Sequence, residues 1–362
     1  MRKSTLPRLI AFGLAGTLAL AACGDDGDDG EATGDDTGSD AEEEPEEADD
    51  EADAEEPMET VTLSFANSYT EEHPHNRCGA EVVAEEVAAS GTGLEIEIFP
   101  NSSLGPDADR FESVVSGDID IDIQGSSAIA ATYPAIGALD AAYVMDGPDH
   151  LFRFLDSEVF GQVQEDLLEA TGVRALDGWF FGMRQFTANQ PIRTPEDLQG
   201  LRMRFPDSPQ YLQNAEAVGA EAVPVAFEEV YLSLQQGVID GQENPVPTIN
   251  DMGFVEVQSH VSLSEHQTGF VLAIVNEDTW QSLSPEQQEA LQGAISSTRE
   301  GDAQCILDDQ QALLDQWAAD GTMTIVEDVD RDAFSERAEA YFLDNLEGDK
   351  LELYQAIRDL AE

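Results

Sequence analysis

Three short runs in this chain place apolar residues on every second position, and helix-like runs separate them. They are TVTLSFAN (60–67), LEIEIFP (94–100) and DIDIDIQGSS (118–127). In the second, Leu94, Ile96 and Ile98 share one face while Glu95 and Glu97 share the other, the alternation of a half-buried strand. Between the first two, 75–90 sets Cys78, Val82, Val83 and Val87 along one side of a helix. Between the second and third, DRFESVVSG makes a helix stopped by Gly117. Strand, helix, strand, helix, strand in about 70 residues predicts a parallel sheet in an α/β domain.

The pattern returns further along. VRALDGWFFGMRQFTAN (173–189) is strand material, and TPEDLQG (194–200) is a short helix with Thr194 as N-cap, Pro195 first and Gly200 last. LRMRFP (201–206) reads as a strand. FEEVYLSLQQG (227–237) reads as a helix, with Val230 and Leu234 inward, Tyr231 beside them, and Gly237 as its stop. VIDGQENP is a short strand running into a turn, and 284–319 is a long helix opening on Ser284-Pro285-Glu286-Gln287. The length of 362 residues allows two lobes of this kind, alike in element order but not in sequence.

The N-terminus points to export. Arg2, Lys3 and Arg8 precede an apolar stretch, Leu9 to Ala22, too short to span a bilayer. It ends in Leu20-Ala21-Ala22-Cys23, the layout of a signal peptide (1–22) with a lipoprotein processing site. That lipobox implies a diacylglyceryl group on Cys23 and a mature protein anchored to the outer face of a membrane. Residues 24–59 hold twenty acids and no base, so 23–59 is expected to be an extended, disordered tether.

Across the whole chain 76 acidic residues face 16 basic ones, a formal charge of −60. Beyond the tether the bases are twelve arginines and Lys350. This argues for a solvated acidic surface and against nucleic acid, which needs clustered positive charge. Four of those arginines, Arg184, Arg193, Arg202 and Arg204, fall close together in sequence. On a strand, Arg202 and Arg204 share a face opposite Leu201, Met203 and Phe205. The stretch alone fits either a solvated edge strand or an anion site.

The order DLQGLRMRFPDSP…GAEAVPVAFEEVYLSLQQGVIDGQENP resembles the solute-binding proteins of tripartite ATP-independent periplasmic (TRAP) transporters, the C4-dicarboxylate-type (DctP) receptor family. The likeness extends to EVQSHVSLSEH and NEDTWQSLSPEQQEAL, and back through GMRQFTANQPIRTPEDL to FPNSSLGPDADRFESVVSGDIDI. It implies a two-lobed, type II-like periplasmic-binding fold. Each lobe is a mostly parallel sheet flanked by helices, with a long C-terminal helix spanning both. Lobe I would hold 60–181 and 270–309, and lobe II 182–269 and 310–362. The resemblance assigns Arg204 to the ligand's carboxylate and Arg184 to its support, with Asn244, Phe227, Asn67 and Asp107 also at the site. It implies no catalysis and no cofactor. The partners it implies are a small organic acid and the TRAP permease in the membrane.

Relatives that bind sialic acid carry a glutamate and an arginine after the third strand, where this chain has Gly125 and Ala128. A sialic acid ligand is therefore not expected, and Gln124, Ser126 and Ser127 remain as polar contacts. Cys78 and Cys305 form either a disulfide or two buried thiols. His73-Pro74-His75 lacks the companions of a zinc site, so no metal is expected. Trp179, Phe180 and Phe181 read as core or cleft wall. Two rival readings remain: an enzyme using a carboxylate pair (Glu228 with Glu229, or Asp240 with Glu243), and a sensory receptor of the same fold.

Overall fold

The computed structural model describes residues 60–361. The expected signal peptide, Cys23 and the acidic tether lie outside the described residues. The alternating runs become β1 (Val61–Ala66), β2 (Leu94–Phe99) and β3 (Ile121–Gln124). The long run 173–189 becomes β4 (Val173–Ala188), and LRMRFP becomes β5 (Arg202–Phe205). β6 (Glu221–Pro224), β7 (Gly241–Asn244), β8 (His260–Asn276) and β9 (Thr324–Val326) complete the described strands.

All nine join one sheet, in the order β2-β1-β3-β8-β4-β7-β5-β6, with β9 beside β8. The two parallel groups expected from the sequence are present: β2-β1-β3 at one end and β7-β5-β6 at the other. They are not separate sheets. β4 and β8 pair antiparallel from Val173↔Asn276 to Ala188↔His260, and this ribbon joins the two groups. Nearly every residue of β4 is buried, so it lacks the alternation of a one-sided strand.

The register of the ribbon shifts at three places, one between Phe180 and Gly182. Gly182 has φ +114, and a Cβ there would sit 2.7 Å from Pro245. Its register partner, Gly269, has the Gly182 carbonyl 2.8 Å from where a Cβ would be. Two close backbones and a bulge require glycine at both positions.

The helix Pro285–Asp320 starts on a reciprocal cap. Ser284 Oγ accepts from Gln287 N at 3.2 Å, and Gln287 Oε1 accepts from Ser284 N at 3.0 Å. Its 36 residues span about 54 Å at 1.5 Å per residue. Leu291 and Ile295 pack with Phe65, Val83 and Trp179, while Ile306 joins the central core with Phe180 and Phe205. Trp317 packs with Val230, Ile249 and Phe254. One helix thus ties together three apolar clusters. Cys305 on this helix is disulfide-bonded to Cys78, with Cα atoms 6.5 Å apart.

Two elements depart from expectation. The strand expected over 118–127 is confined to Ile121–Gln124, because only there do β1 and β8 supply partners. Asp120 instead accepts from the backbone and hydroxyl of Ser64, and Ser126–Ile129 turns into a short helix. The helix expected over 75–90 opens with a wide turn, His75–Ala80, before Glu81–Ala89.

Candidate functional site

A cavity of about 430 Å³ lies where the carboxyl ends of β1, β3, β5 and β6 meet the β4–β8 ribbon. That volume falls in the roughly 300–1,000 Å³ range of small-molecule sites, at the strand ends where open α/β sheets bind ligands. Ser68 and Tyr69 enter from the end of β1, Asp107 from the start of the helix after β2 (Asp107–Ser116), and Ser127 from the segment after β3. Phe181 and Arg184 come from β4, Arg204 from β5, Phe227 from beyond β6, and Asn244 from β7.

Alternation along β5 explains Arg204. Met203 and Phe205 are buried in the central core on one face, which turns Arg204 to the other. There it is 3% exposed, and its Nε donates to the Val225 carbonyl at 2.9 Å. Among the described residues no carboxylate lies within 4.0 Å of it. Burial lowers its pKa to about 10, Glu243 opposes that, and neighbouring Arg184 adds to it. The guanidinium stays charged at neutral pH, and its terminal nitrogens have no acceptor among the described residues.

Arg184 is equally buried but its charge is matched by a carboxylate. Glu243 accepts from its Nε and, at 2.8 Å, from Nη2, and Asn244 Oδ1 accepts from Nη2 at 3.1 Å. Burial works against the Glu243 carboxylate, yet Arg184 overrides it and holds the pKa at about 2. The guanidinium also sits 5.7 Å from the Phe181 ring and 5.5 Å from Tyr211. His266 lies 3.4 Å from Glu243, with burial pushing its pKa below the ordinary value. The pair is a rigid, internally neutral wall for the free charge beside it.

Residues 65–347 match the family model for bacterial extracellular solute-binding proteins, family 7. This chain belongs to that family.

A family 7 protein is a solute receptor rather than an enzyme, and its relatives agree. The chain is 33% identical over 244 residues to the sialic acid-binding periplasmic protein SiaP of Vibrio cholerae, covering 67% of this chain and 76% of the relative. It is 33% identical over 247 residues to the 2,3-diketo-L-gulonate-binding periplasmic protein YiaO of Escherichia coli, covering 67% and 74%. Among solved structures, a TRAP periplasmic solute-binding protein of Roseobacter denitrificans with bound L-galactonate superposes with a TM-score of 0.77. It is 30% identical and covers 83% of this chain and 99% of the other. No helix among the described residues is long and apolar enough to cross a membrane.

The family 7 cavity gathers Arg204, Arg184, Asn244, Phe227 and Asp107 from five separate segments. Gly125 and Ala128 line it too, as small uncharged wall. Three residues expected beside them lie behind the wall instead. Asn67 Nδ2 donates to Asn76 at 2.7 Å and its Oδ1 accepts from Tyr69 N at 2.9 Å, so it shapes the turn that presents Ser68 and Tyr69. Gln124 donates to the Asp107 carbonyl at 2.8 Å and to Asp122 at 2.7 Å. Ser126 donates to buried Asp140, leaving Ser127 to face the cavity. Side-chain period accounts for Gln124, on a strand whose four residues are all buried, and helix initiation accounts for Ser126.

Of the other two arginines, Arg202 pairs with Asp240 at 2.8 Å and Arg193 with Asp328 at 2.9 Å, both on the outside. His73 stacks on Tyr69 and His75 pairs with Asp302 at 2.9 Å, and the described residues contain no cluster able to hold a metal. The structure adds Tyr69, Tyr211 and Arg110, which the sequence reading missed. Arg110 and Tyr211 face inward from helices and Tyr69 from the turn after β1, and each looks like any surface residue when only its neighbours in sequence are read.

Proposed function

We propose that this protein is an extracytoplasmic, lipid-anchored receptor that captures a small hydroxylated monocarboxylate, a sugar acid, and delivers it to a TRAP permease. The observation that carries this reading is the buried, unpaired guanidinium of Arg204 in a chain of charge −60. An uncompensated buried charge is costly, so such a group is retained where a ligand supplies the missing carboxylate. Two parallel N–H···O bonds from a planar guanidinium suit that task. Among the described residues that bear on the cavity, Arg204 is the one cation without a carboxylate partner: Arg184 is paired with Glu243, and Arg110 with Asp107 and Asp122. A second ligand carboxylate would meet Asp107, Asp207 and Glu228 on the lining, whereas hydroxyls would find acceptors there. The L-galactonate bound by the Roseobacter relative fits that pattern.

In this reading Arg204 anchors the carboxylate, Arg184 and Asn244 hold its orientation, Phe227 packs on the carbon chain and Asp107 accepts from hydroxyls. Asn67, Gln124 and Ser126 act through the groups they fix. The two lobes are 60–181 with 270–309, and 182–269 with 310–362. Cys23 carries the lipid. Titration calorimetry against a panel of sugar acids, dicarboxylates and sialic acid tests the specificity. Preferential binding of a dicarboxylate would sink it. Replacing Cys23 with Ala should move the protein from the membrane fraction to the soluble one, and unchanged fractionation would remove the anchor.

A further inference from the structure

Arg110 lies behind the cavity wall, is fully buried, and uses every nitrogen of its guanidinium within the protein. Nε donates to Asp122 at 3.3 and 3.2 Å. Nη1 donates to the Gly105 carbonyl at 2.8 Å and to Ser102 Oγ at 3.4 Å. Nη2 donates to Ser68 Oγ at 2.9 Å and to Asp107 Oδ1 at 2.8 Å. An arginine has five N–H donors in a fixed fork, and here they are shared among five residues on three segments. Arg204 is the opposite case, with a single protein acceptor.

Three of the groups held by Arg110 bear on the cavity. Asp107 lines it, with Oδ1 engaged by Ser68 and Arg110 and Oδ2 without a partner among the described residues. Ser68 lines it as well. Ser102 sits in a strained turn, with φ +57 at Asn101 and +51 at itself, and its hydroxyl donates to Glu228 Oε1 at 3.0 Å. Glu228 belongs to the opposite wall, beyond β6. A non-glycine pair at positive φ persists only where surrounding contacts hold it. The Arg110 bonds to Ser102 and Gly105 are such contacts.

We propose that Arg110 is a positioning residue that fixes Asp107 as the acceptor for the ligand's hydroxyls and holds Ser102 against Glu228 across the cavity mouth. Asp122 supports it from beneath by accepting from its Nε. One guanidinium thereby links selection for hydroxyls on this wall to the latch at the mouth. The inference rests on the sugar-acid reading and specifies which residues read the sugar.

The test compares L-galactonate with hexanoate, two six-carbon acids that differ in hydroxyls, by titration calorimetry. The wild-type protein is expected to favour L-galactonate by at least about tenfold, since each charge-assisted hydroxyl bond is worth that much. Arg110→Met is expected to remove that preference by weakening L-galactonate well beyond hexanoate, whose loss should match that in Ser102→Ala because both variants release the latch, a change in ratio that general destabilisation would not produce. Ser102→Ala should speed dissociation of both acids and keep the ratio. Equal losses for both acids in Arg110→Met, or no preference in the wild type, overturn the inference. If circular dichroism shows that Arg110→Met does not fold, Arg110→Lys takes its place. It keeps the charge but offers three donors, and an unchanged ratio there counts against the proposal. Arg204→Ala separates the two levels: acid binding that survives it refutes the sugar-acid reading itself, whatever Arg110 does.

Discussion

Arg184 and Arg204 line one cavity wall, yet Glu243 grips Arg184 with both carboxylate oxygens and leaves Arg204 with only a backbone carbonyl. Two buried arginines therefore have opposite energetic standing. One is matched by a carboxylate and the other is not.

Their substitutions should behave oppositely. Arg184→Met breaks a buried pair and should cost about 3–5 kcal/mol of stability. Arg204→Met removes an uncompensated buried charge, so the empty protein should hold or gain stability while ligand binding is lost. Urea denaturation of both variants, with and without the bound acid, checks this. An Arg204→Met protein as destabilised as Arg184→Met would contradict it.

Acid sensitivity has two limbs of opposite sign. Glu243, held at about 2 against an ordinary 4.5, stabilises fully above pH 4.5, and that contribution drains away as pH falls toward 2. Asp122 and Asp140 run the other way, because burial raises both to about 7 from 3.8. Between about pH 4 and 7 the folded chain then binds more protons than the unfolded one. Stability should fall as pH rises there, by up to about 1.4 kcal/mol per unit for each group. Asp140 faces Arg184, Glu243, Tyr211 and Lys350; the two cations and the Tyr211 hydroxyl oppose the rise, and Glu243 adds to it. Asp140→Asn should flatten this limb in a urea series across pH, and an unaltered slope would remove Asp140 from the account.

The Cys78–Cys305 bridge closes a sequence separation of 227 residues. Constraint of so long an unfolded loop is worth about 5 kcal/mol in the chain-entropy account. A Cys78→Ser, Cys305→Ser double variant should melt well below the wild type, and added reductant should then have no further effect. Equal melting temperatures would show that the bridge contributes little.

Salt should speed ligand capture. The acids that dominate the surface repel an anion at long range, and raising salt from ~0.1 M to ~1 M shortens the Debye length from ~10 Å to ~3 Å. The buried Arg204 contact lies inside that distance and is largely spared. Stopped-flow association rates that fall with salt would refute this.

Much of this was legible in the sequence, for identifiable reasons. β1 and β2 are short strands whose alternation survives because one face is more deeply buried than the other. Arg204 was legible because β5 buries Met203 and Phe205 and leaves the intervening side chain one direction. β4 and β8 were harder, since strands buried on both faces carry no period, and nothing local reveals that they pair along their whole length. Glu243 was read among acids of a turn because its partner lies 59 residues away. Asn67 and Gln124 were placed one layer too far forward, as a residue's depth depends on elements that sequence neighbours do not include.

The β4–β8 ribbon has a mechanical consequence. Since both strands cross between the parallel groups as continuous sheet, widening the cavity must flex hydrogen-bonded backbone rather than swing on a slack connector. The Gly182–Gly269 pair, with its shifted register, is the place of least bending stiffness. Hydrogen exchange should be fastest there within the ribbon, and uniform protection along it would argue otherwise. Flexure of this kind carries a restoring force, so the receptor behaves as a sprung clasp whose resting gape is written into its own sheet.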